Sequence, residues 1–192
     1  MRNIYDQYSQ PENKITHALV CSLGEDKKLL QRFVKWITGV NPSRNIEIVE
    51  QRLPGDPELN EAEIERRGLP DAWIFNDENW SLIIESKVSA TLTADQLQRH
   101  YRSAIRRGFN KVTILAIDVV PPRRKLPDFV VFKTWSDIYC WLSGQIQNSD
   151  WALKTVRYLE IAESRLSEEG YLKEGTLTVF TGVPFGKDEP YN

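Results

Sequence analysis

The sequence predicts an α/β fold in which a mixed central sheet is flanked by helices. Three observations predict it: apolar residues at helical spacing near both ends, two apolar runs joined by a short polar turn, and a nearly all-apolar run after a further helix. A strand–helix–strand passage of this kind packs helices against a sheet. The 192 residues, 41% hydrophobic and 27% charged, fit one compact domain.

Two helices in series are predicted at the start of the chain. Pro11 and Glu12 mark the start of the first helix, because proline and an acid are both favoured in the first helical turn. Apolar residues then recur at helical spacing, with a break at Gly24, until Gly39 ends the pattern. Residues 46–52 alternate apolar and polar side chains, which predicts a half-buried strand.

A β-hairpin is predicted in the middle of the chain. Residues 53–69 are polar and begin with turn formers, so they predict a loop with room for a short helix. The runs 70–76 and 80–88 are apolar, and a polar turn at 77–79 separates them. Two apolar runs joined by a tight turn indicate two antiparallel strands.

The second half of the chain predicts alternating helices and strands. Thr93 caps a helix that runs to about Arg107, where Gly108 stops it. The nearly all-apolar run at 111–120 predicts a strand in a sheet that is covered on both faces. The remaining predicted elements are a basic turn at 121–127, a strand at 129–135, and helices at 136–146 and 150–166.

The two apolar runs of the hairpin also contain charged side chains, which the burial of an apolar strand does not explain. Because side chains alternate between the two faces of a strand, Glu85 and Lys87 point to one face and Ser86 points to the other. The start of one antiparallel strand lies opposite the end of the next, so we expect Asp71 close to Glu85 and Lys87. A structural salt bridge at the end of the sheet is the alternative explanation of these charges.

Two carboxylates and an ammonium group at one strand end suit the hydrolysis of a phosphodiester. Magnesium prefers oxygen ligands and keeps several waters, so two carboxylates leave positions for water and for a phosphate oxygen. The ion polarises the phosphodiester and lowers the pKa of a bound water. A lysine beside it stabilises charge that grows on the phosphate. The residues therefore predict Mg²⁺ as cofactor, with Mn²⁺ as a substitute.

The Pro70–Asp71 pair, with Glu85–Lys87 on the next strand, resembles the signature of the PD-(D/E)xK nuclease superfamily. The resemblance covers about residues 11–135 and implies a restriction-endonuclease-like αβββαβ core. It implies a single domain of residues 1–192, in which about 136–192 form a C-terminal helical extension. It also implies a nuclease that acts on DNA more than on RNA, in defence against foreign DNA or in DNA repair and recombination.

The same resemblance implies a role for each matching residue. Asp71 and Glu85 bind the metal in this scheme, and the backbone carbonyl of Ser86 adds a ligand. Lys87 acts in catalysis. Many members also carry a glutamate in the first core helix that approaches the metal, and Glu12 is the candidate here. A simple acid at a helix start, favoured by the helix dipole, is the alternative for Glu12.

A glutamine on the helix after the Glu-x-Lys triplet is a further point of resemblance. Some branches of the superfamily carry a Gln-x-x-x-Tyr motif on that helix. Gln96 matches the glutamine, and the resemblance implies that it acts in the catalytic site. The tyrosine, Tyr101, comes one residue too late, and His100 holds its place. An exposed helix position is the alternative for Gln96.

The helix that carries Gln96 is also rich in arginine. A net charge of −2 is not typical of a nucleic-acid-binding protein, so local positive charge must attract the phosphate backbone. The buried stripe of this helix is predicted to consist of Leu97, Tyr101, Ala104 and Ile105. The residues expected to contact nucleic acid are Arg99, His100, Arg102, Arg106, Arg107, Arg123, Arg124 and Lys125. An ordinary solvated face is the alternative.

Two other classes of function stay open. The acidic charge balance and the altered Gln-x-x-x-Tyr spacing favour a catalytically inactive domain that kept the nuclease fold for nucleic-acid binding or complex assembly. Six Trp and seven Tyr favour a protein-interaction domain with an exposed aromatic patch. A homodimer or a larger complex, and a place as one domain of a longer protein, are compatible with either class.

The location of the protein is predicted from what the sequence lacks. We see no signal peptide and no apolar run near the roughly 20 residues that a membrane helix needs. Cys21 and Cys140 lie in apolar helical patterns, so we expect buried free thiols of a reducing compartment. The sequence therefore predicts a cytoplasmic protein without a membrane partner.

Overall fold

The computed structural model is an α/β fold with a five-stranded mixed open sheet and, in the part of the chain that it describes, five helices. The described residues are 11–42, 45–51, 54, 69–76, 80–88 and 90–178. Most of the predicted loop at 53–69 and the turn at 77–79 lie outside the described residues. None of the described helices combines the length and the apolar character needed to cross a membrane.

The order of helices and strands is the one that the sequence predicts. The helices are α1 (Pro11–Glu25), α2 (Lys27–Thr38), α3 (Ala94–Arg106), α4 (Trp135–Ser143) and α5 (Asp150–Glu168). The strands are β1 (Glu47–Glu50), β2 (Ala72–Phe75), β3 (Trp80–Ser86), β4 (Lys111–Asp118) and β5 (Val130–Thr134). The prediction of each element is confirmed, and the observed ends differ from the predicted ones by a few residues.

The break between the first two helices lies at Asp26, two residues after the predicted Gly24. Asp26 has an extended backbone, and its carboxylate accepts hydrogen bonds from the backbone N–H groups of Lys28 and Leu29. This N-cap satisfies two donors that a new helix leaves without partners. Gly39 ends α2 in the left-handed conformation at φ 73°, as its glycine predicts.

The strand order is β1-β2-β3-β4-β5. The pairs β1–β2 and β2–β3 are antiparallel, so the hairpin prediction is confirmed, and the pairs β3–β4 and β4–β5 are parallel. Helix α3 forms the crossover between the parallel strands β3 and β4. Ile84 faces Ala72 on one side and Leu115 on the other, which fixes the register of the central strands.

Helices cover both faces of the sheet. On one face, α1, α2, α4 and α5 pack against alternate strand residues that include Ile74, Ile84 and Leu115. On the other face, α3 packs its Leu97 and Ala104 against a second apolar cluster from the remaining strand positions. The middle of β4 is buried from both sides, which agrees with its nearly all-apolar sequence.

Three predictions about burial are wrong. Ile105 is predicted in the buried stripe of α3, yet it is 43% exposed, and His100 is predicted with the side chains on the surface that contacts nucleic acid, yet it is 3% exposed. Cys140 is exposed and Cys21 is partly exposed, although both thiols were expected to be buried. Trp73 and Trp135 are fully buried in the core.

Candidate active site

The hairpin register brings Asp71 to the end of β3. Asp71 precedes β2, and Ala72 at the start of β2 pairs with Ile84 near the end of β3. The carboxylate oxygen Oδ2 of Asp71 accepts hydrogen bonds from the backbone N–H of Ser86, at 2.7 Å, and from its hydroxyl, at 2.9 Å. The structure therefore places Asp71 against the residue between Glu85 and Lys87.

The carboxylate of Glu85 is 1% exposed and is held by three donors. Its Oε1 accepts from Lys87 Nζ at 2.8 Å and from Gln96 Nε2 at 2.6 Å. Its Oε2 lies 3.1 Å from His100 Nε2. A buried carboxylate is tolerated only when charged or hydrogen-bonding partners replace water, and these three side chains supply them.

Helix α3 delivers two of those partners because of how it begins. The Thr93 hydroxyl caps the helix by accepting from the backbone N–H of Gln96. Gln96 and His100 lie four residues apart, so both project from the same side of the helix. Leu97 and Ala104 pack on the sheet beside them and hold this side against Glu85.

Ser86 points to the opposite layer, towards α1. Its hydroxyl forms a buried hydrogen bond with the hydroxyl of Thr16, and both residues are buried. Neither Thr16 nor its contact with the site was predicted. A signal was present, since a serine that alternates with the apolar residues Leu82, Ile84 and Val88 needs a polar partner in the layer it faces.

Burial raises the pKa of Asp71 to about 8, and the negative charge of Glu85 adds to this effect. The ammonium group of Lys87 and the hydrogen bonds from Ser86 act in the opposite direction. Both hydrogen bonds go to Oδ2, and no hydrogen bond from a described residue reaches Oδ1. A carboxylate with these properties gains from a cation placed at its second oxygen.

The oxygen donors at this strand end fit a hard divalent cation. They are the carboxylates of Asp71 and Glu85 and the backbone carbonyl of Ser86, the residue that follows Glu85. Oxygen donors of this number suit Mg²⁺, which keeps several waters and takes few protein ligands. Within the described ranges there is no group of three or more His, Cys, Asp or Glu side chains arranged to hold a metal.

Glu12 lies in the first turn of α1, one helical turn before Thr16. The end of α1 that carries Thr16 contacts the site through Ser86. The side chain of Glu12 lies outside the described part of the structure. Its proposed contact with a metal therefore stays a prediction.

Strand β1 fixes the backbone of Asp71 from the other side. Gln51 follows β1 with a φ of 45°, and its N–H donates to the carbonyl oxygen of Asp71 at 2.9 Å. The Nδ1 atom of His17 lies 2.9 Å from Oε1 and 2.8 Å from Oε2 of the preceding residue, Glu50. His17 thus has a partner at the end of β1.

The residues expected to contact nucleic acid separate into two groups. The seven exposed cations are Arg99, Arg102, Arg106, Arg107, Arg123, Arg124 and Lys125. Arg107 donates to the carbonyl oxygen of Pro54 at 3.1 Å, and Lys125 lies 3.8 Å from Asp128. His100 forms the second group, because it is buried and contacts Glu85.

Comparisons of the chain with protein families, with curated proteins and with solved structures give no match.

Proposed function

We propose that this protein is a magnesium-dependent nuclease with a PD-(D/E)xK-type, restriction-endonuclease-like core. One observation carries the proposal: at the end of β3, Asp71 is hydrogen-bonded to Ser86, and the neighbouring Glu85 is paired with Lys87 and largely removed from water. With α2 as an additional helix after α1, the order of α1, β1 to β3, α3 and β4 agrees with the αβββαβ order of that core. Residues 136–192 are then its C-terminal extension.

The roles of the residues follow from their contacts. Asp71 and Glu85 would hold Mg²⁺ together with the backbone carbonyl of Ser86. A bound Mg²⁺ would supply polarisation of the scissile phosphodiester and a lower pKa of the attacking water. Lys87, which is paired with Glu85, would supply the ammonium group that stabilises charge on the phosphate.

Gln96 and His100 orient the Glu85 carboxylate. Their hydrogen bonds reach different oxygens of Glu85, so together they fix both the position and the rotation of the carboxylate plane. Groups that hold a metal ligand in this way typically matter for metal affinity by about 10- to 100-fold. Gln96 and His100 thus take the places of the glutamine and the tyrosine of the Gln-x-x-x-Tyr motif found in some branches of the superfamily.

DNA is the proposed substrate. The exposed arginines of α3 lie on the helix that also contacts Glu85, so they supply positive charge on the element next to the site. Contacts between arginine and phosphate position a duplex without reading its sequence. This local positive charge allows DNA binding despite the net charge of −2.

A nuclease assay with matched variants tests the proposal. Wild-type protein, Glu85→Ala and Lys87→Ala are incubated with single- and double-stranded DNA and RNA, with Mg²⁺, with Mn²⁺ or with EDTA. We expect metal-dependent cleavage of DNA by the wild type and a loss of at least about 100-fold in both variants. Lys87→Ala should still bind Mn²⁺, because it removes no oxygen ligand. Cleavage of no substrate with either metal would contradict the proposal.

A catalytically inactive domain that kept the nuclease fold is the second candidate. The observation that favours it is the occupancy of Glu85 Oε1, which already accepts from both Lys87 and Gln96. An inactive domain should bind DNA without cleavage and should bind Mn²⁺ no better than Asp71→Ala does. Binding of Mn²⁺ by the wild type that Asp71→Ala abolishes would exclude this candidate.

A further inference from the structure

We propose that Thr16 is a positioning residue of the candidate metal site, acting on Asp71 through the hydroxyl of Ser86. This inference rests on the proposed function. Thr16 lies on α1, 70 positions before Ser86 in the chain, and their hydroxyl groups are hydrogen-bonded in the buried layer between α1 and the sheet. The Ser86 hydroxyl in turn lies 2.9 Å from Asp71 Oδ2.

The direction of the hydrogen bonds follows from the number of protons. As a metal ligand Asp71 is ionised, and an ionised carboxylate accepts hydrogen bonds and donates none, so the Ser86 hydroxyl donates to Asp71. A hydroxyl carries one proton, so Ser86 has none left to donate to Thr16. Thr16 is therefore the donor to Ser86, and the bonds run from Thr16 through Ser86 to Asp71.

The Thr16 hydrogen bond selects one rotamer of a buried hydroxyl. Ser86 is 2% exposed, so water is poorly placed to replace a missing partner. Without the proton from Thr16, the Ser86 hydroxyl is no longer held in the rotamer that directs its own proton at Asp71. Asp71 then keeps the backbone N–H of Ser86 as its donor, and its carboxylate plane is less firmly fixed. A less ordered ligand should bind the metal more weakly, although no ligand has been removed.

The chain offers a matched control for this hydroxyl pair. Thr155 on α5 forms a buried hydrogen bond with the hydroxyl of Ser22 on α1, and both residues are fully buried. Thr155→Val therefore removes a buried threonine hydroxyl that contacts a serine, as Thr16→Val does. Ser22 donates its own proton to the backbone carbonyl of Ala18, whereas Ser86 donates to Asp71. The two variants should lose similar stability, so a difference in metal affinity between them reports on the site.

Mn²⁺ binding to the full chain, measured by electron paramagnetic resonance, tests the proposal, with thermal unfolding in EDTA as the measure of folding. We expect Thr16→Val to weaken Mn²⁺ binding by about 10-fold or more, Thr16→Ser to restore most of the affinity, and Thr155→Val to bind as the wild type does. The double variant Thr16→Val/Ser86→Ala should bind no more weakly than Ser86→Ala alone, because both changes break the same chain of bonds.

The outcomes distinguish this proposal from the proposed function. Wild-type affinity in Thr16→Val, or an equal loss in Thr155→Val, overturns the role of Thr16 while Asp71→Ala still tests the metal site itself. Additive losses in the double variant also overturn it. Absence of Mn²⁺ binding by the wild type overturns both proposals. If Thr16→Val does not fold, Thr16→Ala replaces it, with the same expected loss and the same contradicting results.

Discussion

Replacing His17 by glutamine should remove a pH-dependent part of the stability of this protein. His17 is buried in α1, and its Nδ1 contacts both carboxylate oxygens of Glu50 at the end of β1. Burial alone would lower the pKa of His17, but its hydrogen bonds to Cys21 and Glu50 and the negative charge of Glu50 outweigh burial. Together they raise the pKa from 6.5 to about 10.

The sign and size of the effect follow from this shift. A histidine whose pKa is higher in the folded state stabilises the fold fully below pH 6.5, and this stabilisation is lost as the pH rises towards 10. A rise of about 3.5 units at 1.36 kcal/mol per unit sets an upper limit of about 5 kcal/mol. Because the Glu50 side chain is 22% exposed and solvent screens its charge, we expect about 2–4 kcal/mol.

Urea unfolding of metal-free wild type and His17→Gln, between pH 6 and pH 10, measures this contribution. The free energy of unfolding of the wild type should fall by about 2–4 kcal/mol more than that of the variant across this range. Glu50→Gln is the matched control, since it keeps the shape of the side chain and removes its charge, and it should flatten the wild-type curve in the same way. Parallel curves for wild type and His17→Gln would refute the reasoning.

Two further predictions concern the two sides of α3. Gln96→Ala removes the 2.6 Å hydrogen bond to the buried carboxylate of Glu85. We expect the free energy of unfolding, measured by urea unfolding, to fall by about 1.5–3 kcal/mol, and Mn²⁺ binding, measured by titration, to weaken by about 10-fold. Unchanged Mn²⁺ affinity would contradict this prediction. The second prediction concerns a triple variant in which Arg99, Arg102 and Arg106 are replaced by alanine. Fluorescence anisotropy measures its affinity for duplex DNA at several salt concentrations, and the slope of log affinity against log salt should become shallower by about 0.9 for each phosphate that is no longer neutralised. Mn²⁺ binding by this variant should stay unchanged. An unchanged salt slope would remove these arginines from the proposed DNA-binding surface.

Much of the fold could be predicted because its elements have distinct periodicities. The alternation at 46–52 and the two apolar runs of the hairpin identify strands, and the helical spacing after Pro11 identifies helices. The antiparallel hairpin also predicts the closeness of Asp71 to the end of β3, since its short connection leaves few alternative registers. This local geometry made the central part of the site accessible from sequence.

The parts that could not be predicted depend on contacts between distant elements. A helical wheel gives the positions of residues around the helix axis, but it does not identify which side of the helix faces the sheet. On α3 the side that carries Gln96 and His100 faces Glu85, so His100 is buried and Ile105 is turned outwards. The pairing of Thr16 with Ser86 joins residues 70 positions apart, and nothing in the local sequence of α1 indicates it.

The site is built across the sheet rather than on one face of it. Glu85 and Ser86 are neighbours in β3, so their side chains must point to opposite layers. Glu85 is held by α3 from one layer, and Ser86 is held through Thr16 by α1 from the other. Because Ser86 also donates to Asp71, α1 controls one carboxylate of the candidate metal site while α3 controls the second. If the proposed metal site is correct, docking of both helical layers on β3 is therefore the physical condition for the two carboxylates to bind one ion.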